Sequence, residues 1–261
     1  MHRRFILILL VFCWSSVGGS QNAPVQSGPL QQHLALAQQY LQQKRPDLAI
    51  PGLEAAVAID PTKVEIQANL GVLYYFANDY VKAIPHLQAA VKANPELWKI
   101  EALLGLGEAR VGQRDAARQD LEAAFPQVTE EKIQMEAGQA LMELHATAGD
   151  LEKAATVVSA MLATRPTDPR LLFMAFRLYS DLADKSALTL ALAAPESAQL
   201  HEIMGRELRR QGDDAGAIAN YREAIRMEPQ LAELHSDLGQ LLYDSSDEKL
   251  KAEAERELKT A

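Results

Sequence analysis

Few side chains in this sequence are of types that could do chemistry. His201-Glu202 opens as a zinc-protease helix does, with a ligand followed by a base, but the residue four beyond His201 is Gly205, so a second ligand is missing. His33, His201 and His235 fall at one recurring register position and read as core or partly buried side chains, and His86 and His145 have no companion at metal-ligand spacing. Gly105-Leu106-Gly107 followed by Gly112 has the look of a dinucleotide loop but lacks a strand before it. There is no G-x-S-x-G elbow and no phosphate-binding loop, and the many Asp and Glu read as solvated helix faces. The expectation is no catalytic residue, no cofactor and no metal.

Two clusters point instead to recognition. Tyr74, Tyr75 and Phe76 stand consecutively in a chain that is 6% aromatic. Rings displayed on a concave surface bury much area with few rotors to freeze. Arg206, Arg209 and Arg210 share a helix face, and arginine forks grip carboxylates in two-pronged fashion, which suits an acidic peptide or a free C-terminus. Glu202 to Arg206 and Arg177 to Asp181 are each spaced four apart, so ion pairing along a solvated face accounts for part of that cluster.

The elements that position these residues follow from the bulk of the chain. At 261 residues, 48% apolar and 23% charged, it is of globular composition. A net charge of -9 argues against wholesale nucleic-acid binding, which needs a dense cationic field. The first twenty residues differ from the rest: His2-Arg3-Arg4, an apolar run from Phe5 to Trp14, then small residues to Ser20. This is the layout of a secretory signal peptide, and ten apolar residues are too few to span a bilayer, which takes roughly 20. Cleavage near Ser20 removes Cys13, the only cysteine; an uncleaved anchor or acylation of Cys13 are the alternatives, the second disfavoured by bulky Phe12 before it. Residues 21–29 read as a flexible leader.

From residue 30 the sequence repeats. AIPGLEAAVAIDP, Ala49 to Pro61, aligns without gaps on AIPHLQAAVKANP, Ala83 to Pro95, at a spacing of 34. Leu36 matches Leu70 and Leu104; Ala37 matches Gly71 and Gly105; Ala117, Leu121 and Ala124 continue the series. The pattern resembles the tetratricopeptide repeat family, in which two antiparallel helices per unit, A and B, stack into a right-handed solenoid. The resemblance implies an all-α fold over residues 30–261, with units opening near residues 30, 64, 98 and 135, a degenerate fifth from 169 whose second helix is cut short between Ala187 and Ala194, a sixth from 198 and a partial seventh from 232. Counting each opening residue as place one, small residues at places eight and twenty let helix A approach helix B, since anything larger overpacks the crossing. Pro51 and Pro85 then read as first-turn residues of helix B, where a missing N–H costs little.

The resemblance also implies a concave face lined by helix A. Units one and two supply Leu34, Gln38, Leu41, Gln42, Asn69, Val72, Tyr75 and Phe76; units five and six supply Arg170, Phe173, Arg177, Arg206, Arg209 and Arg210. Tyr74 is expected to pack within its unit while Tyr75 and Phe76 point into the hollow, or else contact helix A of the next unit. Chaperone-adaptor members clamp a terminal carboxylate at five places, here held by Leu34, Gln38, Asn69, Lys99 and Leu103; only Asn69 and Lys99 agree, so that clamp is not expected. The reading is an exported, non-catalytic scaffold of a bacterial envelope. It binds a protein or extended peptide through Tyr75, Phe76, Asn69, Lys99, Arg170, Arg177, Arg206, Arg209 and Arg210, with no nucleic acid, no membrane span after cleavage, and a possible homodimer through its last repeat. The alternatives are an accessory subunit of a polysaccharide or outer-membrane assembly machine, and the repeat region of a longer enzyme.

Overall fold

The computed structural model describes residues 28–245 and 248–261; the expected signal segment, Cys13 and most of the leader lie outside them. The described residues form thirteen helices and no strand. The described residues divide into two compact units, one up to residue 175 and one from residue 176. In the first, α1 (Pro29–Gln42) pairs with α2 (Pro46–Ile59), α3 (Val64–Phe76) with α4 (Tyr80–Ala93), α5 (Trp98–Arg110) with α6 (Arg114–Ala124), and α7 (Glu131–Ala148) with α8 (Leu151–Thr164). In the second, α10 (Ala198–Gln211) pairs with α11 (Asp214–Met227) and α12 (Ala232–Tyr243) with α13 (Glu248–Thr260). The unit boundary falls inside α9 (Pro169–Ala193).

One device turns the chain between paired helices. The fifteenth residue of the unit adopts a positive φ: Lys44 at 58°, Asn78 at 63°, Gly112 and Gly149 at 83°, Gly212 at 82°. In each case the next N–H reaches back over the turn to the carbonyl of place eleven: Arg45 to Tyr40, Asp79 to Tyr74, Gln113 to Glu108, Asp150 to His145, Asp213 to Leu208, at 2.9–3.0 Å. This is the left-handed helix stop that satisfies otherwise orphaned carbonyls. Asp79 and Asp213 then cap the following helix, accepting from the N–H of Lys82 and Gly216.

The pairs close on the small residues. Ala49, Ala83, Ala117, Ala154 and Ala217 are all fully buried at place twenty. At place eight of α3, α5 and α10 there is no room for a side chain: a Cβ on Gly71 would stand 2.7 Å from Leu87 Cδ2, one on Gly105 2.8 Å from Leu121 Cγ, and one on Gly205 2.6 Å from the Tyr221 ring. Each unit has its own apolar core, one centred on Leu70, Leu87, Leu103 and Leu121, the other on Tyr221, Leu234, Leu238 and Leu242.

Two expectations are corrected. Pro51 and Pro85 lie at the sixth residue of α2 and α4, one turn deeper than expected, because each helix starts directly after the turn. Pro46 is the true first-turn proline of α2. Both inner prolines are exposed, so the carbonyls they leave unbonded face water. The fifth unit does not form a hairpin: α9 runs unbroken for 25 residues. Its place fifteen is Ala183, for which a positive φ is strained, and its place eight is Phe176, too large for a close crossing.

Candidate partner-binding surface

In the first unit α3 packs on α5 and α5 on α7, so the A helices lie side by side and their outward residues form one face. The three consecutive aromatics divide three ways. Tyr74 turns inward, stacked on His86 at 5.9 Å and 13°, its hydroxyl bonded to Glu54 of the preceding pair. Burial first, and then the Glu54 carboxylate, push its phenol up to about 12. Phe76 points out and is 43% exposed.

Tyr75 departs from the expectation that it stands open beside Phe76. It is only 9% exposed, edge-on to Phe76 at 5.3 Å and to Tyr80 at 5.4 Å. Its ring lies over Gly107 of α5, where a Cβ would come within 3.8 Å of it. Phe76 and Tyr80 on its own hairpin and α5 across the seam together cover the ring. Burial, followed by the negative charge of Glu136, raises this phenol too to about 12.

Along the same face, the Arg110 and Glu136 charges act on the Tyr75 hydroxyl from α5 and α7. Beyond them a cleft of about 260 Å³ opens beside α7, lined by Lys132, Glu136, Gln139, Arg165, Asp168 and Arg170 among others. Arg170 is exposed and, among the described residues, its side chain makes no ion pair, whereas Arg165 is held by Glu131 and Asp168. Lys99 is paired with Glu130 at 2.7 Å, and Asn69 is half-buried. Arg110, Glu136 and Gln139 occupy face-lining places of units three and four. Their register places, thirteen in unit three and two and five in unit four, are the sequence signal that marks them.

Arg177, Arg206, Arg209 and Arg210 belong to the second unit, so the proposed contact residues are not gathered in one unit. Arg206 is paired with Glu202 at 2.8 Å and Asp237 at 3.3 Å, Arg209 with Asp237 at 3.9 Å, and Arg210 with Glu207 at 2.7 Å. The expected cationic end is therefore largely neutralised by acids of α10 and α12; Arg177 is exposed without an ion pair among the described residues. The place-four histidines pack as expected: His235 is buried between Glu257 and the Pro229 carbonyl, and His201 bonds Asn220. Among the described residues no group of His, Cys, Asp or Glu is arranged to hold a metal ion, and no helix is long and apolar enough to cross a membrane.

An array of helical pairs of constant length, closed by small residues and presenting an A-helix face, defines a repeat scaffold. Residues 40–104 match the family model described as tetratricopeptide repeat, and residues 205–246 match the model described as TPR repeat. The chain thus carries tetratricopeptide repeats at residues 40–104 and 205–246, and its thirteen described helices form an all-α fold that fits six to seven repeats. Such repeats serve in general as non-catalytic platforms for binding proteins or peptides. No curated protein matches the chain. Among solved structures, Pseudomonas aeruginosa pilF is 16% identical over 81% of this chain and 97% of its own, with a TM-score of 0.46. A tetratricopeptide repeat protein from Parabacteroides merdae is 17% identical over 84% and 86%, also at 0.46. A MamA structure is 22% identical over 56% and 83%, again at 0.46.

Proposed function

We propose that this protein is an exported, non-catalytic scaffold of the cell envelope that holds a partner protein or peptide, in extended form, along the α3–α5–α7 face of its first unit. The observation that supports this most directly is the layout of that face. Exposed Phe76 offers an apolar anchor at one end, and the 260 Å³ cleft with unpaired Arg170 offers a cationic one at the other. Arg110 and Glu136 lie between them. An aromatic anchor and an arginine fork are the side chains that most often dominate an interface. The arginines of α10 play a lesser part, because an acidic ligand must first displace Glu202, Asp237 and Glu207.

Capture from an envelope extract tests this reading. Phe76→Ala and Arg170→Glu are each expected to lower recovery of the partner about ten-fold, the result of ~1.4 kcal/mol lost at an anchor. The double variant Arg206→Glu, Arg210→Glu is expected to keep most of it. Equal recovery by all of them would remove the face from consideration. Signal cleavage is checked separately by the mass of the purified protein: a chain starting near Gln21 supports it, and retention of Met1 in cells with a working secretion pathway defeats it.

A further inference from the structure

The second and third pairs of the first unit treat the same positions differently. In α3/α4, place eleven is Tyr74 and place twenty-three is His86, stacked ring on ring. In α5/α6 these places hold Glu108 and Asp120, and place four holds Glu101, so three carboxyls converge where the neighbouring pair has an aromatic contact and an amide. Glu108 is 1% exposed. One of its oxygens accepts from the Gln88 amide of α4 at 3.2 Å; the other, Oε2, is buried without a hydrogen-bond donor, as is Oε2 of Glu101.

Among the described residues no cation is paired with Glu101, Glu108 or Asp120. α4 presents the neutral Gln88, α6 presents Asp120, and α5 itself presents Glu101, which also feels the Asp120 charge. No cation is among the groups acting on Glu108 or Asp120, and of the nearby cations Lys82 pairs with Asp79, Arg118 with Asp115 and Lys153 with Glu122. His145 of α7 faces Glu122 and not this cluster. Two ionised carboxylates buried side by side without a cation are mutually repulsive, and both can only accept hydrogen bonds. A proton on Glu108 Oε2 resolves both faults, since the hydroxyl donates to Asp120 and the orphan oxygen acquires a partner.

We propose that Glu108 and Asp120 form a proton-binding site in which one shared proton fastens α5 to α6, beside the amide of Gln88 from α4, so that loss of that proton loosens this layer of the first unit. Burial, followed by the Asp120 charge and hydrogen bond, pushes the Glu108 carboxyl up to about 7 from its ordinary 4.5, and burial raises Asp120 as well. A carboxyl raised in the folded state binds its proton more tightly there than in the unfolded chain. Its contribution is therefore complete below about pH 4.5 and is lost as pH rises towards 7. His145 acts in the opposite sense: burial lowers it, so its neutral state favours the fold above 6.5 and that contribution is lost on acidification.

The test compares wild type with Glu108→Gln, which keeps shape and supplies a permanent donor to Asp120 while leaving His145 in place. Urea unfolding of the full chain at pH 5 and pH 8, followed by amide exchange of α5 and α6, is the measurement. The ratio of the unfolding constants at the two pH values should be on the order of 10- to 100-fold larger for wild type than for Glu108→Gln. Carbon-13 spectra of wild type should contain a Glu carboxyl titrating near neutrality that is missing from the variant, a readout independent of whether the variant is less stable overall. Identical pH dependence in the two proteins, or no Glu carboxyl titrating above about 6, overturns the proposal.

Discussion

The α3/α4 pair and α9 start from the same repeat length and end as different objects. In the first, Gly71 lies under Leu87 with no room for a methyl group, and Asn78 turns the chain at a φ of 63°. In α9 the corresponding residues are Phe176 and Ala183; the phenyl ring is 68% exposed and the helix runs through the turn position unbroken. The contrast shows that a hairpin needs both a tolerated left-handed residue and a vacant place at the crossing. Apolar residues alone do not close it, since Leu172, Phe176 and Tyr179 remain exposed on α9.

The sharpest way to break this comparison is to overfill the crossing. Gly71→Val is expected to destabilise the first unit by about 3 kcal/mol or more, because its new atoms meet both the Leu87 side chain and its backbone nitrogen. Phe176→Ala, at the same repeat place, should cost less than about 1 kcal/mol, since its ring is mostly in water. Urea melts of the two variants measure the difference, and comparable losses would show that place eight is not a crossing in α3/α4. A smaller effect is expected from Ala183→Gly, which should lower α9 stability by about 1 kcal/mol and speed amide exchange around residues 181–186, as glycine frees the backbone to turn. Unchanged exchange there would mean that Phe176, rather than the turn residue, keeps α9 straight. The smallest change runs the other way. Lys44→Gly removes a side chain from a positive φ and is expected to stabilise the first pair by up to about 1 kcal/mol, read as a rise in urea midpoint.

The parts of the fold legible beforehand were those written in residue size and period. Ala49, Ala83 and Ala117, with Gly71 and Gly105 opposite, mark the crossings because steric fit at a close contact depends on side-chain volume and little else. The fifth unit was recognised as irregular, but not as a single helix, because the length of a helix at a weak turn depends on whether a partner helix can dock. The positions of Pro51 and Pro85 were misjudged by one turn, since a helix start is set by the capping turn before it as much as by the proline.

What the sequence determined by itself is the period, the all-α class and the inward residues, all consequences of local size and spacing. What only the tertiary structure decided is the chemistry of the exposed and buried polar groups. Whether Tyr75 faces water depends on how Phe76, Tyr80 and α5 pack around it, and whether the arginines of α10 are free depends on Glu202, Glu207 and Asp237. The convergence of Glu101, Glu108 and Asp120 on one dry spot likewise appears only once α5 and α6 are packed. Charge and exposure are properties of neighbourhoods, and neighbourhoods here are made by helices stacking across tens of residues.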